Sequence, residues 1–412
     1  MVLLKNEQYR YDIIMEKNEK PIVRLKPKSS LGPLLRGFPW VYDNELVLDR
    51  RTKAIPPGSI AILHSAERKP VGLVAFNPIS KISVRILDLD LEAEIGLSWI
   101  TDKISRAAKM RDRLYEQPYY RLVHAEADGL PGVVIDLFGD IAVIQPNAAW
   151  AEIMLEEICQ AVLAVTKVKT ILKNTSGRAR KLEGLEGGNE VMYGTLPKDP
   201  VIVPMNGAKY MADLTTGQKT GLFYDQRPNH AFVATLSKDS RMLDMFCHVG
   251  GFGLAALAGG ATSVLAVDGS KPALDLAEAG ALQSGFKGLF ATRKGDAFDV
   301  LTDLGQAAEK FDVVICDPPA FASSKQSLDA GLRAYEKLAR LASQLVKEDG
   351  FLGLCSCSHA ADIAKFRTAS LRGIGRAGRT AALIHTGFAG PDHPQHSQLS
   401  ESGYLKTLFF RL

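Results

Sequence analysis

Four short apolar runs between residues 241 and 316 each end in polar residues, and glycine turns and helical stretches separate them. The first run, Arg241-Met242-Leu243-Asp244-Met245-Phe246-Cys247-His248-Val249-Gly250-Gly251-Phe252-Gly253-Leu254-Ala255, reads as a strand, a glycine turn and the start of a helix. The second, Thr262-Ser263-Val264-Leu265-Ala266-Val267-Asp268, ends in an acid, and the stretch from Pro272 carries Leu274, Leu276, Ala277 and Ala281 at helical spacing. A third strand near Gly288-Leu289-Phe290-Ala291-Thr292 leads to Gly295-Asp296-Ala297-Phe298, and a fourth, Phe311-Asp312-Val313-Val314-Ile315, leads to Cys316-Asp317-Pro318-Pro319-Ala320-Phe321. Strands that alternate with helices build an α/β fold around a parallel sheet. Ligands of such sheets bind beyond the carboxyl ends of the strands, which is where these polar tails lie.

The glycines let a ligand approach the backbone closely, and the helix that follows offers free N–H groups. A carboxylate at Asp268 can bind both hydroxyls of a ribose, and Asp296 is placed to accept from an exocyclic amine. A dinucleotide site would carry G-x-G-x-x-G. The turn here, His248-Val249-Gly250-Gly251-Phe252-Gly253, does not match that spacing, which favours a nucleoside ligand without a pyrophosphate. A fifth strand, Gly350-Phe351-Leu352-Gly353, runs into Leu354-Cys355-Ser356-Cys357-Ser358-His359. A carboxylate held beside Pro318-Pro319 and facing a cysteine suits acid-assisted attack by a thiolate. The competing reading is a turn and two small buried cysteines. Positions 355 and 357 share a face of an extended strand, so geometry alone does not choose between the sulfurs.

Together these motifs resemble the class I S-adenosylmethionine-dependent methyltransferases. More narrowly, they resemble the bacterial large-subunit ribosomal RNA cytosine-5 methyltransferases with an N-terminal PUA domain. The resemblance covers nearly the whole chain after about residue 20. It implies a Rossmann-like seven-stranded catalytic domain closed by a terminal antiparallel hairpin, preceded by a small β-barrel PUA-like domain and an α/β middle domain. It implies S-adenosylmethionine contacts from Asp225, Gln226, Asp244, Phe246, Gly250, Gly251, Asp268, Asp296 and Asp317. Thr220-Gly221-Leu222-Phe223-Tyr224-Asp225-Gln226-Arg227 matches the segment that closes over the cofactor. Asp317-Pro318-Pro319, with Phe321, matches the motif that holds the target base, and Ser356-Cys357-Ser358 matches the one that carries the nucleophile, Cys357. His248 departs from the pattern, standing where many methyltransferases have the first glycine of the turn.

The implied chemistry is consistent. Cytosine C5 is a poor nucleophile until a thiolate adds to C6. Asp317 would assist at N3, where negative charge develops. The base that removes the C5 proton is unassigned. Cys355 is then a small core residue, and Cys316 points away from Asp317 and is buried. Uracil-5 or guanine amino-group methylation, and a non-catalytic RNA-binding or ribosome-assembly role, are the alternatives.

Length and composition fit this organisation. A chain of 412 residues exceeds one ordinary domain, and 46% hydrophobic with 23% charged residues is a soluble, globular balance. There is no apolar run of membrane-spanning length, and the start lacks a signal-peptide core. Five cysteines without framework spacing suit the cytoplasm, and no Cys/His pattern builds a metal site. We divide the chain into 21–95, PUA-like and RNA-binding; 97–196, a middle α/β domain; and 206–412, the methyltransferase. Residues 1 to about 20 are an accessory start. Between Pro21 and Arg85 there are 11 bases against four acids, and Lys167, Lys169, Lys173, Arg178, Arg180 and Lys181 form a second basic cluster. Either can be a solvated face or can bind phosphates, with ribosomal RNA as the partner the resemblance implies. Trp40 and Tyr42 can stack on bases or serve as core. Glu126 and Asp128 are read as a turn held by carboxylate-to-backbone bonds. A homodimer is left open.

Overall fold

The computed structural model describes residues 20–215, 221–322 and 324–412. The accessory start up to residue 19 and the position of Thr220 lie outside the described residues. Contacts divide the chain into two compact units: one up to Leu196 together with His396–Gln398, and one of Pro197–Gln395 with Leu399–Leu412.

The first unit begins with five strands, β1 (Ile22–Arg24), β2 (Trp40–Val41), β3 (Ser59–His64), β4 (Pro70–Phe76) and β5 (Val84–Asp88), ordered β1-β3-β4-β5-β2. The two edges of this sheet meet. Leu25 bridges Leu46, and Lys26 and Val47 donate their N–H groups to Glu45 and Arg24. That closure makes a small barrel, filled by Val23, Leu25, Val41, Leu63, Val74, Phe76 and Val84. A second sheet, of β6 (Tyr119–His124), β7 (Val133–Phe138), β8 (Ile141–Pro146), β9 (Thr170–Lys173) and β10 (Glu190–Tyr193), is ordered β10-β9-β8-β7-β6. It shares one core with helices α1 (Leu97–Arg111) and α2 (Leu155–Val165), through Ile100, Ile104, Trp150, Ile158 and Val162.

A buried polar cluster joins the barrel to this α/β layer. Arg85 reaches Glu126 at 2.6 Å and Glu183 at 3.1 Å, while the Trp40 indole donates to Glu126 at 2.8 Å. Two sequence expectations change here, and the one for Asp128 holds with an addition. Glu126 is held by side chains rather than by a turn's backbone. Asp128 does accept from the His124 N–H at 2.6 Å, but it also clamps the buried Arg111 guanidinium. Lys173 and Arg180 are buried against Glu152, so the second basic cluster does not act as one phosphate-facing patch. Ion pairing satisfies a buried cation at lower cost than leaving it unpaired.

The second unit opens with a hairpin, β11 (Val201–Met205) and β12 (Ala208–Ala212), turned by Asn206 and Gly207, both at positive φ. Seven strands follow: β13 (Arg241–Met245), β14 (Ser263–Asp268), β15 (Phe290–Lys294), β16 (Phe311–Cys316), β17 (Val346–Ser356), β18 (Ala382–Phe388) and β19 (Lys406–Arg411). Their order is β15-β14-β13-β16-β17-β19-β18, with β19 antiparallel to both neighbours. Helices α3 (Arg227–Leu236), α4 (Gly251–Ala258), α5 (Lys271–Gln283), α6 (Ala297–Gln306), α7 (Leu328–Leu345) and α8 (Ile363–Arg376) flank it.

The central strands are mostly apolar because both faces are covered, with charges such as Asp244 and Asp312 as exceptions. Along them the side chains alternate between two cores. Met242, Val313, Ile315 and Cys355 join Val233, Phe252 and Leu274, whereas Leu243, Val314, Cys316 and Leu354 join Leu301, Leu338 and Phe366. The third strand starts at Phe290, two residues later than the pattern Gly288-Leu289 suggested, because Gly288 lies at φ 84° in the turn. Helix α8 begins after Asp362, whose carboxylate accepts from the Lys365 N–H at 2.8 Å and so stops the helix from starting at Ala361. No helix among the described residues is long and apolar enough to cross a membrane.

Candidate active site

The parallel strands β13, β14, β15, β16 and β17 deliver Asp244, Asp268, Asp296, Asp317 and Cys357 to one edge of the sheet. The turn after β13 is tightly wound: Phe246, His248 and Gly250 lie at φ 62°, 50° and 83°. Two non-glycine residues in the left-handed region store strain, as often happens at functional turns. His248 occupies a conformation that glycine adopts freely. Its ring lies 5.1 Å from that of Phe223.

Asp244 is fully buried and accepts the Gly253 N–H at 2.8 Å through Oδ2. Loss of hydration pushes its carboxyl up to about 8, against the pull of that N–H, and Asp317 and Asp268 add to the rise. Its Oδ1 is buried and finds no donor among the described residues. Asp268 accepts from the His248 N–H at 2.9 Å and the Ser270 N–H at 2.8 Å, which ties β14 to the glycine turn. Gly251 is required by close approach: a Cβ there would stand 2.7 Å from Nε2 of the buried His230. Asp296 is exposed and caps α6, its Oδ1 taking the Phe298 N–H at 2.9 Å. Asp225, just before α3, receives the Tyr404 hydroxyl on Oδ2 and leaves a buried Oδ1 without a donor among the described residues, and Gln226 holds Asn229 at 2.6 Å. A left-handed glycine turn, two orphaned carboxylate oxygens and a strand-end acid fit a nucleoside-bearing cation such as S-adenosylmethionine.

On the neighbouring strand, β16 hands over to Asp317, whose N–H donates to Met245 at 3.2 Å; Pro318 is buried and Pro319 exposed. Phe321 sits in an aromatic cluster with Tyr335 at 4.9 Å, Phe298 at 6.1 Å and Phe246 at 6.5 Å. The register pairs Cys316 with Leu354, so the Asp-Pro-Pro loop and the Ser-Cys-Ser segment leave the sheet side by side. A hydroxyl network locks the two. Ser356 donates to Tyr335 at 2.9 Å, Tyr335 and Ser358 share a bond of 2.8 Å, and Ser358 accepts the Ala322 N–H at 3.0 Å. Of the five cysteines, Cys159, Cys247, Cys316 and Cys355 are buried, and Cys357 is half-buried. Burial holds the Cys355 thiol well above its ordinary range and pushes Cys316 up likewise. Neither is disposed to form a thiolate.

Sequence reasoning missed Lys406. It lies on β19 opposite Ser356, is 5% exposed, and donates to the Ser358 carbonyl at 2.7 Å. The signal was a lysine opening a terminal strand whose next five residues are mostly apolar. Tyr335 was also missed, because nothing in a helical repeat marks one tyrosine as a structural hydroxyl. A surface groove lined by Lys310, Lys347, Arg379 and Arg411 opens at the opposite edge of the sheet and holds none of the site residues. No cluster of metal-ligating side chains occurs among the described residues.

Comparison with known proteins matches this geometry. Residues 189–411 match the family model for S-adenosylmethionine-dependent methyltransferases, and residues 23–89 match that of a PUA-like domain. The chain is 34% identical over 384 residues to the ribosomal RNA large subunit methyltransferase I of Aeromonas salmonicida, covering 92% of this chain and 96% of that one. It is 32% identical over 379 residues to the protein of the same name from Vibrio vulnificus, covering 90% and 95%. A solved chain from Streptococcus mutans, described as an S-adenosylmethionine-dependent methyltransferase, shares the fold with a TM-score of 0.80 at 18% identity over 95% of this chain and 100% of its own. The glycine turn, the strand-end acids and these matches agree: the chain belongs to the S-adenosylmethionine-dependent methyltransferase family, within the group of the ribosomal RNA large subunit methyltransferase I proteins.

Proposed function

We propose that this protein methylates C5 of a cytosine in large-subunit ribosomal RNA, with Cys357 as a covalent nucleophile, in the cytoplasm. The observation that carries the reading is the exposure of one sulfur: Cys357, alone among the five cysteines in not being buried, leaves the sheet edge beside the Asp317 loop. The names of the relatives support ribosomal RNA as the substrate class. The closed barrel and its basic surface support an RNA-binding role for residues 21–95, with 97–196 and 206–412 as the middle and catalytic domains.

Bound S-adenosylmethionine supplies an electrophilic methyl on a sulfonium. Asp268 holds the ribose hydroxyls, Asp296 the adenine side, and Asp244 with the Gly250–Gly251 turn the remainder. Asp225, Gln226 and Phe246 complete that contact surface. Pro318, Pro319 and Phe321 shape the wall against which the base lies, and Asp317 holds a proton at N3. The Cys357 sulfur would form a bond to C6, and the C5–C6 electron pair would move to C5. C5 would take the methyl as the methyl–sulfonium bond breaks, its electron pair leaving on the sulfur of S-adenosylhomocysteine. Loss of the C5 proton then returns an electron pair to the ring, and the C6–S bond breaks to release the thiolate. The network through Tyr335 orients the Ser356-Cys357-Ser358 segment, which matters because attack needs near-contact alignment.

Cys357→Ala is expected to abolish methyl transfer while retaining cofactor binding, and Cys355→Ala to keep most activity. RNA carrying 5-fluorocytidine should trap a covalent complex through Cys357. Activity lost only in Cys355→Ala would reassign the nucleophile. Full activity in both variants would exclude thiolate catalysis and favour transfer to an exocyclic amine.

A further inference from the structure

Lys406 is an unusual residue for its position. Its side chain is 5% exposed, and its ammonium donates to the main-chain carbonyl of Ser358. Among the described residues it forms no ion pair with a carboxylate. Burying an ammonium without an anionic partner is costly, and a negative charge beside it offsets that cost. The carbonyl it binds belongs to the residue that follows Cys357.

From this placement we infer that Lys406 is a positioning residue that stabilises the thiolate of Cys357, so that the unpaired ammonium and the nucleophile form one charge-neutral pair in the resting site. The inference rests on the thiolate reading above, and it adds the device that prepares the sulfur for attack. The Coulombic effects run the right way. Burial pulls the Lys406 ammonium below its ordinary range, and the charge of Cys357, followed by that of Asp362, pushes it back up. Burial, followed by the Lys406 charge, holds the His359 imidazole low. The other groups around the pair are the Tyr335 phenol on α7, which couples to Cys357, and Glu401, which faces His359. Asp317 faces the buried Cys355. The acids among these groups oppose a thiolate, and Lys406 is the cation among them that favours it. A neighbouring lysine is an established means of lowering a thiol's pKa.

The test reads the thiol itself and needs no methyl transfer. Full-length protein without RNA is alkylated with iodoacetamide across pH, and the rate at the Cys357 peptide is followed by mass spectrometry. The wild type should titrate at least about one unit below the ~8.5 of a free thiol. Lys406→Met should raise that midpoint by about one unit or more, slowing alkylation near neutrality about tenfold, since one pKa unit is a factor of ten in thiolate fraction. Lys406→Arg should restore the wild-type profile. A wild-type midpoint at or above the free-thiol value overturns the inference, and that result needs no variant to fold. An unchanged midpoint in Lys406→Met also overturns it, as does an Lys406→Arg midpoint as high as that of Lys406→Met, because packing rather than charge would then set the value. The outcome is separable from the cytosine-5 reading, which stands or falls on methyl transfer by Cys357→Ala.

Discussion

Replacing Tyr335 with phenylalanine isolates one hydroxyl. The ring keeps its contacts with Phe321 and Phe366, at centroid distances of 4.9 Å each, so the aromatic packing is preserved. Two bonds are lost: the donation from Ser356 at 2.9 Å and the shared bond with Ser358 at 2.8 Å. Both serines are fully buried, so water does not replace the lost partner. Each serine oxygen still accepts a backbone N–H, from Ser358 at 3.3 Å and from Ala322 at 3.0 Å, which limits the damage. A buried hydroxyl left without one partner costs about 1–3 kcal/mol, and this substitution should fall in that range. For a unit of this size, that corresponds to a fall of roughly 2–12 °C in the midpoint of its thermal transition. Calorimetry is the suitable assay, because Trp40, Trp99 and Trp150 all belong to the first unit and fluorescence does not follow the second. The same variant should lose methyl transfer by more than it loses cofactor affinity, since the network holds the cysteine segment rather than the glycine turn. A stability change below about 0.5 kcal/mol together with unaltered turnover would refute the reasoning.

Burial holds His230 down at about 3, so the folded protein keeps it neutral while the unfolded chain protonates it near 6.5. A depressed histidine takes stability away as pH falls through that window, at up to about 1.4 kcal/mol per pH unit. His230→Phe, which retains stacking against Tyr210 and Phe252, should flatten this dependence, and unfolding free energies measured between pH 4 and 7 with an equal slope in both proteins would contradict it. For RNA, Lys28→Ala and Arg36→Ala should each lower the slope of log affinity against log salt by about 0.7–0.9, because both residues are exposed on the barrel. Slopes that match the wild type in filter binding would leave these bases as ordinary surface.

Local patterns made much of this protein legible. Runs such as Val313-Val314-Ile315-Cys316 announce a strand covered on both faces, because consecutive apolar residues need cover on both sides. Acids at strand ends and the glycine turn announce a ligand edge for the same reason in reverse: polar groups survive there only if something meets them. The resemblance of Ser356-Cys357-Ser358 to the family's motif favoured Cys357 over Cys355, and the structure adds a physical difference, with one sulfur half-buried and the other sealed in the core.

Long-range pairings were not legible. Arg85 lies in a basic stretch, and its two acids come from distant segments at Glu126 and Glu183, so only folding reveals it as a buried ion-pair centre rather than an RNA contact. Lys173 and Arg180 are similar, since Glu152 neutralises both. Lys406 is the sharpest case. Its register opposite Ser356 and its bond to the Ser358 carbonyl depend on the terminal strand inserting antiparallel beside β17. Sequence alone determined which residues could carry the chemistry, because residue type and local period are properties of short segments. Tertiary structure decided which of them are buried, paired or left as an isolated charge, because electrostatic environment is set by neighbours that the chain brings together only on folding.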